Sequence, residues 1–222
     1  MSDLTQDNLL REIDEDIRRE RLGKLWGRFG VYIIAAFVLV LVAVGGYQFW
    51  HYRTEAARQE ASVRYAAALA LAATDRTAAE QQLAAIASDG PAGFAVLAGL
   101  RQATLLAEGG DIQAAREAYQ RVQRAAGDPL YRDLAVVREA MLALQAEAVP
   151  IDADAIAGKL EPLKAEGNAW RFTARELGAV LASRTGRIDE ARSLLTELAA
   201  DPRAPSDMRE RAQQMLAGLA DR

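Results

Sequence analysis

The chain has 222 residues and a formal net charge of −4, from 27 basic and 31 acidic residues with no block of one sign. That distribution lacks the concentrated basic stripe that phosphate binding requires, which excludes nucleic acid as a partner class. Cysteine is absent, excluding disulfides, zinc fingers and thiol chemistry, while 47 alanines and only 6% aromatic residues point to an all-α protein with thin helix interfaces.

The first predicted element is a tail, residues 1–28. Leu9, Leu10, Ile13 and Ile17 fall along one side of a helix and the charges take the other. Acids dominate from Glu12 to Asp16 and bases from Arg18 to Arg28. The basic half then adjoins the next element, where anionic lipids would favour it. Two readings stand side by side: a docking helix for a cytoplasmic or membrane partner, and a solvated helix serving as a topology signal.

Residues 29–52, FGVYIIAAFVLVLVAVGGYQFWHY, carry no formal charge. A hydrocarbon core of about 30 Å needs roughly 20 apolar residues at about 1.5 Å rise each, and residues 31–50 supply them. A buried soluble helix would seldom stay uncharged so long. A cleaved signal has a short basic lead and a small-residue cleavage site; here seven acids precede the run and Tyr47, Phe49, Trp50 and Tyr52 close it. Those aromatics, with Trp26, Phe29 and Tyr32 at the other end, suit two interfacial belts. The expected element is therefore an uncleaved membrane helix. Five bases before it (Arg18, Arg19, Arg21, Lys24, Arg28) against three after it (Arg53, Arg58, Arg64) place the tail in the cytoplasm and residues 53–222 outside it. In a Gram-negative source, that is the periplasm. Ala36, Ala43 and Gly46 fall near one helix face and read either as a packing stripe or as small residues facing lipid.

Beyond it, residues 54–75 and 77–88 read as helices, closed by the breaker Asp89-Gly90-Pro91. The chain then repeats loosely: GFAVLAGLRQATLLAEGGDIQAAREAYQRVQ (93–123) against AWRFTARELGAVLASRTGRIDEARSLLTELA (169–199). Each has a first helix, a turn containing Gly, and a second helix opening with an acid. Between them, residues 129–164 form a degenerate unit that breaks at Val149-Pro150. Tyr131 and Trp170 open equivalent helices, 37 residues after Phe94 and 39 after Tyr131. A final helix, 206–219, starts at Ser206 and reads as a solvated cap.

These residues resemble the tetratricopeptide repeat, with small residues where paired helices touch, Gly in the turn and large apolar residues on the second helix. The matching positions are Ala103, Leu106, Gly110, Ala115, Tyr119 and Val122 in the first unit. In the third they are Ala179, Ala182, Gly186, Ala191, Leu195 and Leu198. The early Trp and Leu positions of the repeat are Gly99 and Gln102 here, and the Pro after the second helix is displaced to Pro129. The expected fold is one transmembrane helix followed by about three helical hairpins and a capping helix. The full layout, with the tail REIDEDIRRERLGKLWGRFG, resembles the single-pass inner-membrane repeat proteins of the YfgM type, ancillary subunits of the Sec translocon. That resemblance implies contacts with translocon subunits, periplasmic chaperones or exported clients. Envelope-assembly scaffolding, or sequestration of a cytoplasmic regulator by the tail, are the alternatives.

Chemistry finds little support. The sole histidine, His51, lies between Trp50 and Tyr52 with no second His or Cys for a metal cage, and no phosphate-loop, metalloprotease or EF-hand spacing occurs. Neither enzyme activity, cofactor nor metal is expected. A repeat array does present a concave face. By analogy with the family that face is lined by Leu97, Leu100, Thr104, Ala107 and Glu108 in the first unit and Thr173, Glu176, Val180, Ser183 and Arg184 in the third. Lys24, Lys159, Lys164, Asn8 and Asn168 fall off it, which disfavours a Lys/Asn carboxylate clamp. A mixed apolar and polar groove for extended segments or a partner helix is the remaining reading.

Overall fold

The structure is a computed structural model that describes the backbone of residues 3–146 and 152–220, with side chains described from Gly30 onward except Ile33 and Ala220. The side chains of the tail residues Leu9, Leu10, Ile13 and Ile17 and of the belt residues Trp26 and Phe29, and the whole of the break at Val149-Pro150, lie outside these described parts. The described residues are nearly all helical, with no strand among them. The chain divides into two compact units, Met1–Ala56 and Ala57–Arg222.

Helix α1 (Asp3–Leu71) contains the apolar run. Its most apolar 18-residue window has a mean hydropathy of 2.3, with 6% of that window buried. Phe37, Phe49 and Trp50 are all more than half exposed. A soluble core helix would hide such side chains against its own protein, so the exposure argues against that reading. The helix is long and apolar enough to cross a membrane.

The second unit is built from helix pairs. After the C-terminal part of α1 come α2 (Arg76–Asp89), α3 (Ala92–Glu108), α4 (Ile112–Ala125) and α5 (Pro129–Gln145). A short α6 (Ala153–Leu160) runs into a 3₁₀ turn (Glu161–Lys164), and α7 (Arg171–Arg184), α8 (Ile188–Ala200) and α9 (Ser206–Ala220) complete the chain. Helices begin where an aspartate can cap them. Asp75, Asp111 and Asp152 accept the backbone N–H three residues on, and Asp128 that of Leu130, satisfying donors that the first turn leaves unpaired. Ser206 is the first helical residue of α9 rather than its cap; Pro205 supplies the carbonyl that accepts from Arg209 N.

Two turns need glycine. Gly110 (φ 85°) and Gly186 (φ 77°) sit in the left-handed region where a Cβ is strained. Behind them, Asp111 N donates to Leu106 O and Arg187 N to Ala182 O, the backward bonds that close a helix end around a left-handed residue.

Packing follows the same register in each pair. The second-helix positions Ala79/Leu83/Ile86, Ala115/Tyr119/Val122, Ile156/Leu160/Leu163 and Ala191/Leu195/Leu198 are all buried. In each set the spacing is four residues, then three, which keeps the side chains on one helical stripe. The first helices carry two faces. Ala98 and Leu105, Ala135 and Leu142, and Ala174 and Leu181 pack back onto the preceding pair. Ala103, Ala140 and Ala179 pack forward. The core is consequently a chain of four clusters, each shared by neighbouring helices, as in an array where every repeat touches only its neighbours.

A hairpin of α1 and α2 precedes the units read from the sequence, through Ala68, Leu83 and Ile86. The degenerate middle unit keeps its register although α6 is short, because Leu163 in the 3₁₀ turn occupies the third buried position. Helix α9 is solvated on one side only. Its Ala212 and Leu219 are buried against Leu194, Leu195 and Leu198, with Met215 and Leu216 beside them.

Candidate protein-binding grooves

Helices α3, α4 and α5 enclose a groove of about 320 Å³. Thr104, Ala107 and Glu108 of α3 form one wall, and Arg138, Met141 and Gln145 of α5 the other. Tyr119 of α4 stands at its base, its hydroxyl 3.3 Å from that of Thr104. Thr104 also donates to Leu100 O at 3.0 Å, so the pair orients both hydroxyls at the groove base. Glu108 pairs with Arg101 at 3.6 Å. Arg138 and Gln145 have no partner among the described residues. The groove therefore offers apolar surface from Ile112, Met141 and Leu142, two hydroxyls, a guanidinium and an amide, a set that fits peptide rather than bond-breaking chemistry.

Of the residues assigned to a concave face, Thr104, Ala107 and Glu108 come together here. Leu97 is exposed, while Leu100 packs partly on the cluster around Ala103 and Tyr119. The third-unit residues lie on α7 and face its neighbours. Glu176 receives two bonds from Arg211 of α9, at 2.8 and 3.2 Å. Arg184 donates to Leu144 O of α5. Thr173, Val180 and Ser183 are half-buried. The third-unit set thus includes residues that bridge successive first helices.

The described members of the disfavoured clamp are engaged elsewhere. Lys159 binds Glu139 at 2.6 Å, Lys164 binds Glu161 at 2.7 Å, and Asn168 donates to Asp133 at 2.7 Å.

Glu139 is the functional-looking residue that the sequence did not flag. It is 2% exposed and receives hydrogen bonds from Gln120 (2.7 Å), Gln123 (2.8 Å) and Lys159 (2.6 Å). Arg116 lies 3.9 Å away. Burial pushes its carboxyl up, but the hydrogen bonds from Lys159, Gln120 and Gln123 and the Lys159 charge outweigh it, and the net shift is downward. With hydrogen bonds to both of its carboxylate oxygens, Glu139 ties α4 and α6 to α5. Among the described residues no group of three His, Cys, Asp or Glu is arranged to hold a metal.

A stack of helix pairs, each packed on its neighbours, with a side-chain groove between the first helices α3 and α5, defines a helical-repeat protein-interaction module. The chain matches the tetratricopeptide repeat-like domain over residues 24–217, and it belongs to that family. Domains of this type are typically non-catalytic and bind other proteins. No curated protein and no solved structure matches the chain.

Proposed function

We propose that the protein is a membrane-anchored accessory factor that binds exported proteins beside the Sec translocon. The groove between α3 and α5 is the observation that carries the protein-binding part: apolar surface with a guanidinium and an amide, Arg138 and Gln145, that have no partner among the described residues. Such a lining accepts an extended segment by side-chain contact and by hydrogen bonds to its backbone. The anchor follows from helix α1 and its exposed apolar window. The cellular setting rests on the likeness of the tail, anchor and repeat layout to the YfgM-type proteins and on the bias of basic residues toward the N-terminal side. It puts residues 1–28 in the cytoplasm, 29–52 across the inner membrane and 53–222 in the periplasm.

Photocrosslinking in intact membranes tests this reading. A probe at Leu100 or Val180 is expected to capture translocon subunits or nascent exported chains. Capture of division or wall-synthesis proteins alone would replace the translocon with an envelope-assembly scaffold. Probes at Ile13 and Ile17 examine the tail for a cytoplasmic regulator. Reporter fusions at both ends establish orientation, and a cytoplasmic signal from the C-terminal fusion would overturn it.

A further inference from the structure

The opposite side of α3 carries a second groove. It is about 370 Å³, floored by α3 from Ala92 to Gln102 and walled by the C-terminal halves of α2 and α4. Its character comes from what is missing. Ala95 and Gly99 on the floor, Ala87 on one wall and Ala118 on the other leave it open. No aliphatic side chain longer than valine lines it. Gly99 has a specific role, because a Cβ there would lie 2.7 Å from Val122 Cγ2. Its absence lets α4 settle onto α3 and shapes the wall. Gly99 and Gln102 are also the two positions where the chain departs from the large apolar residues of the repeat.

The groove's polar groups are few and unequal. Ser88 Oγ is satisfied by Ala85 O at 2.9 Å. Gln102 and Arg121 have no partner among the described residues. Arg121 is exposed on the α4 wall, and Arg124, one turn on, is likewise exposed with no partner among the described residues. The rim is therefore cationic on one side, beside an apolar trough. The floor from residue 92 to 102 is about 15 Å long at the α-helical rise, the length of roughly three turns. Alanine and glycine on floor and walls let a helix backbone approach closely, as the α2–α3 and α3–α4 contacts already do.

We propose that this outer groove docks an amphipathic helix of a partner protein, with large apolar side chains at i, i+4 and i+7 and a carboxylate on the edge that meets Arg121. The apolar side chains occupy the space that the small residues leave empty. The carboxylate pairs with a guanidinium that has no other partner among the described residues. This surface is separate from the groove between α3 and α5, so the protein can hold two ligands on opposite faces of α3.

The test uses the full chain in lipid nanodiscs. Because the chain has no cysteine, Ala125→Cys provides a unique site at the groove for an environment-sensitive fluorophore, and Gln145→Cys in a second preparation reports the other groove. The probe is an Ala-rich 15-residue peptide with Leu at i, i+4 and i+7 and Glu at i+3, compared with the same peptide carrying Lys in place of Glu. The Glu peptide is expected to change the Ala125→Cys signal saturably and to leave the Gln145→Cys signal unmoved. Arg121→Glu is expected to weaken that peptide about ten-fold, the scale of one charge-assisted hydrogen-bonded contact, and to give preference to the Lys peptide. Ala95→Phe, which fills the floor, is expected to abolish binding of both while the circular dichroism melt stays that of the parent. Absence of binding, equal binding of the two peptides, indifference to Arg121→Glu, or a response at Gln145→Cys alone would each overturn the proposal. The last would leave the reading of the α3–α5 groove standing.

Discussion

Glu139 shows how much a single buried carboxylate does in a repeat this thin. It sits on α5, and its three hydrogen-bond donors come from α4 and α6. Removing its charge leaves Lys159 and Arg116 facing a neutral group. Glu139→Gln is therefore expected to destabilise the second unit by about 2 kcal/mol, measured by urea denaturation at neutral pH. The sign of the pH dependence follows from the lowered folded pKa. The unfolded state takes up the proton first, so the contribution is complete above the ordinary glutamate range and is lost as pH falls through the folded pKa. The stability difference between parent and Glu139→Gln should accordingly narrow as the pH is lowered through that acid window. A constant difference would mean that Glu139 is not ionised in the fold. Nothing in VVREAML marks this glutamate as buried. Its partners lie 16 to 20 residues away, and only their convergence makes the site dry and satisfied.

At the scale of the element, the turns and the last helix make opposite demands. Gly110 and Gly186 end first helices in a conformation that alanine tolerates poorly. Gly110→Ala and Gly186→Ala should each cost about 1 kcal/mol in a thermal or chemical melt. Gly127 and Gly167, without positive φ, serve as controls expected to cost less. Helix α9 closes the array by covering Leu194, Leu195 and Leu198. A chain ending at Pro205 exposes that cluster and should lose about 4 kcal/mol, from the burial of roughly two large apolar side chains. Aggregation at micromolar concentration is the accompanying expectation, checked by light scattering. The second-helix stripes and the glycine turns were legible along the chain, because four-then-three spacing and a residue free of Cβ are local properties. The reading of α9 as a solvated cap was legible too; which side chains it covers was not, because Leu194, Leu195 and Leu198 meet it only once α8 and α9 pack.

For the whole molecule, the two units distribute their apolar side chains differently. The first carries the exposed apolar window of α1, and the second gathers most of its large apolar residues into four internal clusters. Deleting residues 1–52 should release the protein from the membrane fraction, with the remaining chain soluble and its helical circular dichroism retained. Loss of helix in that fragment would show that the second unit depends on the first. Alkaline carbonate extraction of the full chain should leave it in the membrane pellet, as expected of a helix that spans the bilayer rather than a peripheral contact. The candidate site was partly legible at this scale. Thr104, Ala107 and Glu108 could be assigned by analogy with the repeat family. Arg138 and Gln145 could not, because they belong to the degenerate unit, where the repeat pattern is weakest.

By itself the sequence determined the class of the protein: a helix long and apolar enough to span a membrane, then paired helices whose register recurs. Those features depend on periodicity and on the intrinsic preferences of alanine, glycine and leucine, which are properties of neighbouring residues. The tertiary structure alone decided which charged side chains are spent on each other and which remain available. Lys159 and Glu176 are held by residues of other helices, while Arg121 and Arg138 stand beside grooves with no partner among the described residues. It also opened the trough along α3, since an absence of side chains becomes a space only when three helices are packed around it.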